Sequence, residues 1–160
     1  MEDILLKIYK TKGLKNTLLV LSYVAVAVSC AAFLLMLVFA FLDSPLKAVK
    51  IAVFAGVPFI IVSLLRRLIN APRPYELYSF YEEKPRDGKG KSFPSRHVFS
   101  AFVIGTLLFS VSIPLAVVTL TLGVGLAVCR VLLGIHFIRD VVAGGLIGAL
   151  SGVIGLLILL

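Results

Sequence analysis

The sequence predicts an all-α protein, a polytopic membrane helical bundle of about five transmembrane helices with an N-terminal interfacial helix. Three observations predict it. Of the 160 residues, 60% are hydrophobic and the mean hydropathy is +1.09, whereas a soluble domain is close to half apolar. The apolar residues gather in long, nearly uncharged runs, and about twenty such residues cross a bilayer as a helix. Proline, serine and aspartate punctuate the ends of these runs. The length suits one domain, residues 1–160.

Taken in order, residues 1–15 carry Lys7, Lys10, Lys12 and Lys15 against Glu2 and Asp3, with Leu5, Leu6, Ile8 and Tyr9 interleaved. This reads as a basic interfacial segment with its lysines at the headgroups, or as a frayed basic terminus. The first span covers about 17–42. The apolar run from Asn16 to Leu42 is too long for the core of a cleavable signal peptide. Asp43-Ser44-Pro45 breaks it, and Ser44 before Pro45 suits the start of a second span over 46–69. Lys47 and Lys50 sit in the first turn of that span, Arg66 and Arg67 near its end.

Residues 70–96 form the long polar segment, rich in proline, glycine and charge, and read as an active-site loop with a short helix near Glu76 to Glu82. The third span runs from Pro94 to Ser112, the fourth from Pro114 to Leu133, and the fifth from Phe137 to Leu160. In the last, Gly144, Gly148 and Gly152 recur every fourth residue, a stripe that lets a helix approach closely. It is read first as packing within the chain and second as a homodimer face. Five spans put the N-terminus, the loop 70–96 and the cluster 130–140 on one side of the membrane.

The net charge is +8, with the basic residues gathered at the N-terminus and between 66 and 96. In a membrane protein, anionic headgroups or a phosphorylated substrate explain this better than nucleic acid. Cys30 and Cys129 lie singly in apolar runs, without metal-ligand spacing.

Three polar clusters share the one face. Arg66 at a helix end and Arg73-Pro74 in a proline-braced loop offer two guanidinium forks to one anion. In Phe93-Pro94-Ser95-Arg96-His97, proline and serine open a helix whose free N–H groups and dipole favour a phosphate, and His97 in its first turn can supply a proton. In the third cluster, His136 and Asp140 are four residues apart. On one helical face the carboxylate would accept a proton from one ring nitrogen and leave the other as nucleophile or base. Gly134 would let the chain turn, bringing Arg130 towards His136.

Arg66-(six residues)-Arg73-Pro74, then Pro94-Ser95-Arg96-His97, then Arg130-(five residues)-His136-(three residues)-Asp140 resembles the three-part signature of the type 2 phosphatidic acid phosphatase superfamily. The resemblance covers about residues 46–160. It implies a helical membrane phosphatase that hydrolyses lipid phosphates through a phosphohistidine, without metal or other cofactor. His136 would be the nucleophile, Asp140 its orienting partner and His97 the general acid. Arg66, Arg73 and Arg130 would hold the phosphate, with Ser95 and, as an added contact, Arg96. The substrate would be phosphatidic acid, phosphatidylglycerophosphate or a polyprenyl pyrophosphate.

This sequence departs from the pattern at three positions: Arg66 stands for the usual lysine, Arg96 for glycine and Cys129 for serine. It also lacks the first of six usual spans, with residues 1–15 in its place. The resemblance places the site outside the cytoplasm, whereas the lysines on that face would, by the positive-inside rule, place it inside. Two other readings compete. A metal hydrolase using His97, His136 and Asp140 as ligands would have to tolerate three nearby arginines, which repel a cation. A non-catalytic lipid-headgroup-binding or transport subunit would have no need of an oriented imidazole.

Overall fold

The computed structural model describes residues 2–78, 80 and 89–159. Among these every regular element is helical: α1 (Glu2–Lys10), α2 (Lys12–Asp43), α3 (Pro45–Ile69), α4 (Pro74–Leu77), α5 (Arg96–Leu107), α6 (Ile113–Leu132) and α7 (Ile138–Leu159). Four helices, α2, α3, α6 and α7, are long and apolar enough to cross a membrane. The fifth expected span is α5 with the 3₁₀ turn Leu108–Ser110 that extends it, a shorter apolar segment over Arg96–Ser110.

The punctuation works as the sequence suggests. Ser44 is extended and precedes Pro45 at the start of α3, while Ser112 caps α6 by accepting from the Leu115 N–H. The first spanning helix begins earlier than residue 17, because α2 already starts at Lys12. Of the short helix expected over Glu76 to Glu82, the turn Pro74–Leu77 is present, and Glu82 lies outside the described residues.

Burial is reversed relative to a soluble protein. Leu42, Leu68 and Leu157 are at least 70% exposed, on surfaces that suit lipid. The interior is built around α5, whose Val98, Phe99, Ala101, Val103, Ile104 and Leu107 are all buried. A helix apolar all round belongs at the centre of a bundle, and α5 packs chiefly on α7, with α6, α3 and α2 around it.

The contact with α7 explains the glycine stripe. A Cβ at Gly144 would lie 2.5 Å from the Ser95 carbonyl oxygen, and one at Gly152 would lie 2.5 Å from Thr106 Cβ. One at Gly148 would overlap the Phe99 carbonyl oxygen. The two backbones touch along this stripe. Gly144, Gly148 and Gly152 are thus consumed inside the chain and offer no face to a second copy, which corrects the homodimer surface expected of them.

The N-terminal segment is a helix. Leu5 and Ile8 are buried, and Ile8 joins Leu18, Cys129, Leu133 and Ile135 in a cluster beneath the α6–α7 loop. The lysines of α1 and its apolar face thus belong to the end of the bundle that carries the polar clusters.

Candidate active site

The end of α6 sets the position of His136. Gly134 has φ +66°, a left-handed conformation that glycine adopts without cost. The Ile135 N–H returns to the Arg130 carbonyl at 3.0 Å and the Gly134 N–H to the Val131 carbonyl at 2.9 Å, the paired bonds of a Schellman stop. The expected turn at Gly134 is therefore present, and it folds the chain so that the His136 N–H also reaches the Arg130 carbonyl, at 3.2 Å.

One expectation is corrected here. His136 and Asp140 do not share a helical face, because His136 lies in the loop and α7 begins only at Ile138. The carboxylate instead folds back over the helix start, where Asp140 Oδ2 accepts the Phe137 N–H at 3.0 Å. From there it faces His136 Nδ1 at 3.6 Å. Between them sits Ser92, whose hydroxyl donates to Asp140 Oδ2 at 2.5 Å and lies 3.3 Å from His136 Nδ1. All three residues are at most 1% exposed. The sequence reading missed Ser92. Its signal is faint, a loop serine three residues before Ser95.

Backbone bonds knit the three clusters into one site. The Ser95 N–H donates to the Asp140 carbonyl at 2.9 Å, the Ser92 N–H to the Ala71 carbonyl at 2.9 Å and the Tyr75 N–H to the Gly134 carbonyl at 3.2 Å. Arg66 Nη1 donates to the Pro94 carbonyl at 2.5 Å, and Arg73 Nε to the Gly90 carbonyl at 2.9 Å. Glu76 Oε1 fixes Gly90 from the other side, accepting its N–H at 2.6 Å.

Arg66, Arg73 and Arg130 are 5%, 3% and 6% exposed, so three guanidinium groups are held inside the protein at the end where His136 lies. Burial holds the His136 imidazole below its usual pKa. The Asp140 carboxylate opposes this, and the charges of Arg73 and Arg66 lower it further. A neutral ring has the lone pair that a nucleophile needs. Ser95 precedes α5, is fully buried, and its Oγ has no hydrogen-bond partner among the described residues. A buried hydroxyl at a helix N-terminus is placed to meet an anion.

Two further predicted site residues open α5, directly after Ser95. Arg96 is exposed, its guanidinium 5.9 Å from the Phe59 ring centre. His97 is half-buried. Both line a cavity of about 280 Å³ between α2, α3, α5 and α6, together with Ser29, Cys30, Phe59 and Leu126. Among the described residues no three His, Cys, Asp or Glu side chains converge as metal ligands would, and His97, His136 and Asp140 do not form such a set. Cys129 is buried in the apolar cluster under the loop.

Comparison with known proteins accords with this geometry. The model of the PAP2 superfamily matches residues 47–159. The crystal structure of Aquifex aeolicus LpxE is similar with a TM-score of 0.71 at 24% identity, over 91% of this chain and 86% of that one. The crystal structure of the first transmembrane PAP2 type phosphatidylglycerolphosphate phosphatase from Bacillus subtilis is similar with a TM-score of 0.58 at 21% identity, over 96% and 90%. At these identities the structural likeness is one of fold. No curated protein matches the chain.

Proposed function

We propose that this chain, which belongs to the PAP2 superfamily, hydrolyses a lipid phosphate through a phosphohistidine formed on His136. Arg66, Arg73 and Arg130 hold the phosphoryl oxygens, with the Ser95 hydroxyl and the first N–H groups of α5 completing the cradle. Phosphoryl transfer spreads charge over three equatorial oxygens, and fixed guanidinium groups in a partly dry site stabilise that charge. The ring nitrogen turned away from Asp140 attacks phosphorus, and Asp140 stabilises the positive ring that results. His97 protonates the leaving oxygen and then, as a base, activates the water that releases phosphate.

One observation carries this reading. His136 is 1% exposed, with Nδ1 turned to Ser92 and Asp140 and with the Arg66 and Arg73 charges acting on it. A headgroup-binding subunit would use the arginines and have no need of an oriented, buried imidazole.

The membrane setting favours a substrate with a lipid tail: phosphatidic acid, phosphatidylglycerophosphate or a polyprenyl pyrophosphate. We place the site on the extracytoplasmic side, on the ground of the family resemblance, against the charge balance of its face. Three basic residues of its face, Arg66, Arg73 and Arg130, are buried and accounted for by phosphate binding, while the lysines of α1 speak for the cytoplasm. Labelling of Lys89→Cys by a membrane-impermeant thiol reagent on intact cells decides the side.

Purified protein offered these lipids should release phosphate, the activity should survive chelators, and an acid-labile phosphoenzyme should form that His136→Ala abolishes. Absence of phosphate release from every one of them overturns the proposal.

A further inference from the structure

Among the arginines near the site, Arg139 stands with Nε 3.6 Å from Asp140 Oδ1, while three others, Arg66, Arg73 and Arg130, are buried. Those three suffice for the scissile phosphate. Arg96 is different. It is the first residue of α5, it is exposed, and among the described residues its one recorded contact is with the Phe59 ring. It stands where the signature given above has glycine, so its side chain is added to that pattern.

Its neighbours say what it faces. Arg96 and His97 line the same cavity, whose other walls come from the membrane helices α2, α3 and α6 at Ser29, Cys30, Phe59 and Leu126. An acid that protonates a leaving oxygen must touch that oxygen, so the groups attached to it extend into the space beside His97. That space is walled largely by small and apolar side chains of the spanning helices, which suits the lipid part of the substrate. A charge carried near that oxygen would enter the cavity that Arg96 lines.

Building on the phosphatase reading, we propose that Arg96 selects lipid phosphates whose leaving group is itself anionic. Two sources share that chemistry. A prenyl diphosphate leaves a lipid monophosphate, and phosphatidylglycerophosphate leaves a phosphodiester. Phosphatidic acid leaves a neutral diacylglycerol and gives Arg96 nothing to bind.

For the diphosphate, the His136 nitrogen forms a bond to the terminal phosphorus. The bond from that phosphorus to the bridging oxygen breaks, and its electron pair stays on the oxygen, which takes the His97 proton while Arg96 balances the charge that remains on the leaving monophosphate. Water then attacks the phosphohistidine, giving one proton to His97. The nitrogen–phosphorus bond breaks with its pair returning to His136, and inorganic phosphate leaves. A guanidinium matches a phosphate oxygen pair in a way that a lysine or an amide does not.

The experiment compares kcat/KM for a long-chain prenyl diphosphate, phosphatidylglycerophosphate and phosphatidic acid in one detergent, for wild type, Arg96→Gln and Arg96→Lys. We expect the wild type to favour at least one anionic leaving group over phosphatidic acid. Arg96→Gln should shrink that preference by about 10-fold or more, the scale of one charge-assisted contact, and Arg96→Lys should keep part of it. Whichever anionic substrate loses the preference identifies its source. Equal losses on all three, as for an arginine that only snorkels to headgroups, overturn the proposal while leaving the phosphatase reading intact. So does a wild type that favours phosphatidic acid. Absence of phosphate release from all three sinks the phosphatase reading, and this proposal with it. Elution of each variant as the wild type does on size exclusion keeps folding out of the comparison.

Discussion

Ser92 Oγ stands 2.5 Å from Asp140 Oδ2, whereas His136 Nδ1 stands 3.6 Å from the same oxygen. The hydroxyl is the closer side chain to the carboxylate, and it touches the imidazole as well, at 3.3 Å. It holds the carboxylate at the edge of the ring and fixes which nitrogen carries the proton. Ser92→Ala would leave a fully buried carboxylate with the Phe137 N–H at 3.0 Å, the ring, and Arg139 Nε at 3.6 Å from Oδ1 as its remaining partners. Turnover should fall about 10- to 100-fold, the scale at which loss of an orienting partner acts on metal-ligating histidines. Asp140→Asn should cost more, on the order of 10²–10⁴, because the amide can present an N–H to Nδ1 and favour the wrong tautomer. The corresponding exchange in a serine-protease triad costs about 10⁴-fold. Binding of inorganic phosphate should change little in either variant, since the arginines supply it. Near-normal turnover in both would reduce this contact to a helix-end decoration.

The titration of His136 is a second consequence. Burial, aided by Arg73 and Arg66, holds its pKa below the usual imidazole value. With two histidines in the chain, ring-labelled protein and a His97→Asn variant suffice to assign the signals by NMR. The midpoint of His136 should fall below about 6.5. The folded value is then lower than the unfolded one, so the unfolded state binds more protons between them. The resulting stability is complete above the unfolded pKa and is lost as pH falls through that window. In activity, the acid limb of kcat/KM should lie on the same side of 6.5. A midpoint above 6.5 would mean that Asp140 outweighs burial.

Helix ends and motif spacings were legible because their causes are local. Ser44-Pro45 and Ser112-Ile113-Pro114 stop and start helices wherever they occur, and each arginine–histidine cluster carries its own spacing. What escaped depends on the meeting of distant segments. Ser92 gains its role only because Ala71, His136 and Asp140 converge on it from other parts of the chain. His136 was read onto a helix because four-residue spacing also fits one. The Gly134 stop and the return of Asp140 to the Phe137 N–H end that helix two residues short of it. The glycine stripe announced a close approach without saying to what, and α5 supplies the answer.

That approach is testable by adding one carbon. The Cβ of Gly148→Ala would overlap the Phe99 carbonyl oxygen and lie 3.0 Å from Phe102 Cβ. Backbone cannot move aside as a side-chain tip can, so α5 and α7 must separate. Overpacking of this kind costs about 1–3 kcal/mol. The midpoint of thermal unfolding in detergent should fall, and activity with it, because the same helix pair carries the Ser95 N–H to the Asp140 carbonyl. Gly125→Ala, with nothing within 4 Å of its added carbon, is the control and should be neutral or slightly stabilising. Equal midpoints for the two variants would mean that the helices do not touch along the stripe.

The last prediction separates the two histidines. His136 is buried against Ser92 and Asp140, whereas His97 is half-buried and lines the cavity between the helices. In the proposed reaction one forms the bond to phosphorus and the other protonates the departing oxygen. His136→Ala removes the bond itself, so it should be inactive on every substrate and form no phosphoenzyme. His97→Ala removes only a proton, and the need for that proton falls as the leaving group becomes a weaker base. Its deficit should therefore be large for an aliphatic lipid phosphate and smaller, by at least about 10-fold, for an aryl phosphate such as p-nitrophenyl phosphate. With the aryl ester, phosphoenzyme should accumulate in His97→Ala, because breakdown by water still wants the base. The comparison needs the ratio of rates on the two esters for wild type and variant, together with acid-labile phosphate trapped at steady state. Equal deficits on both esters would remove His97 from the role of acid.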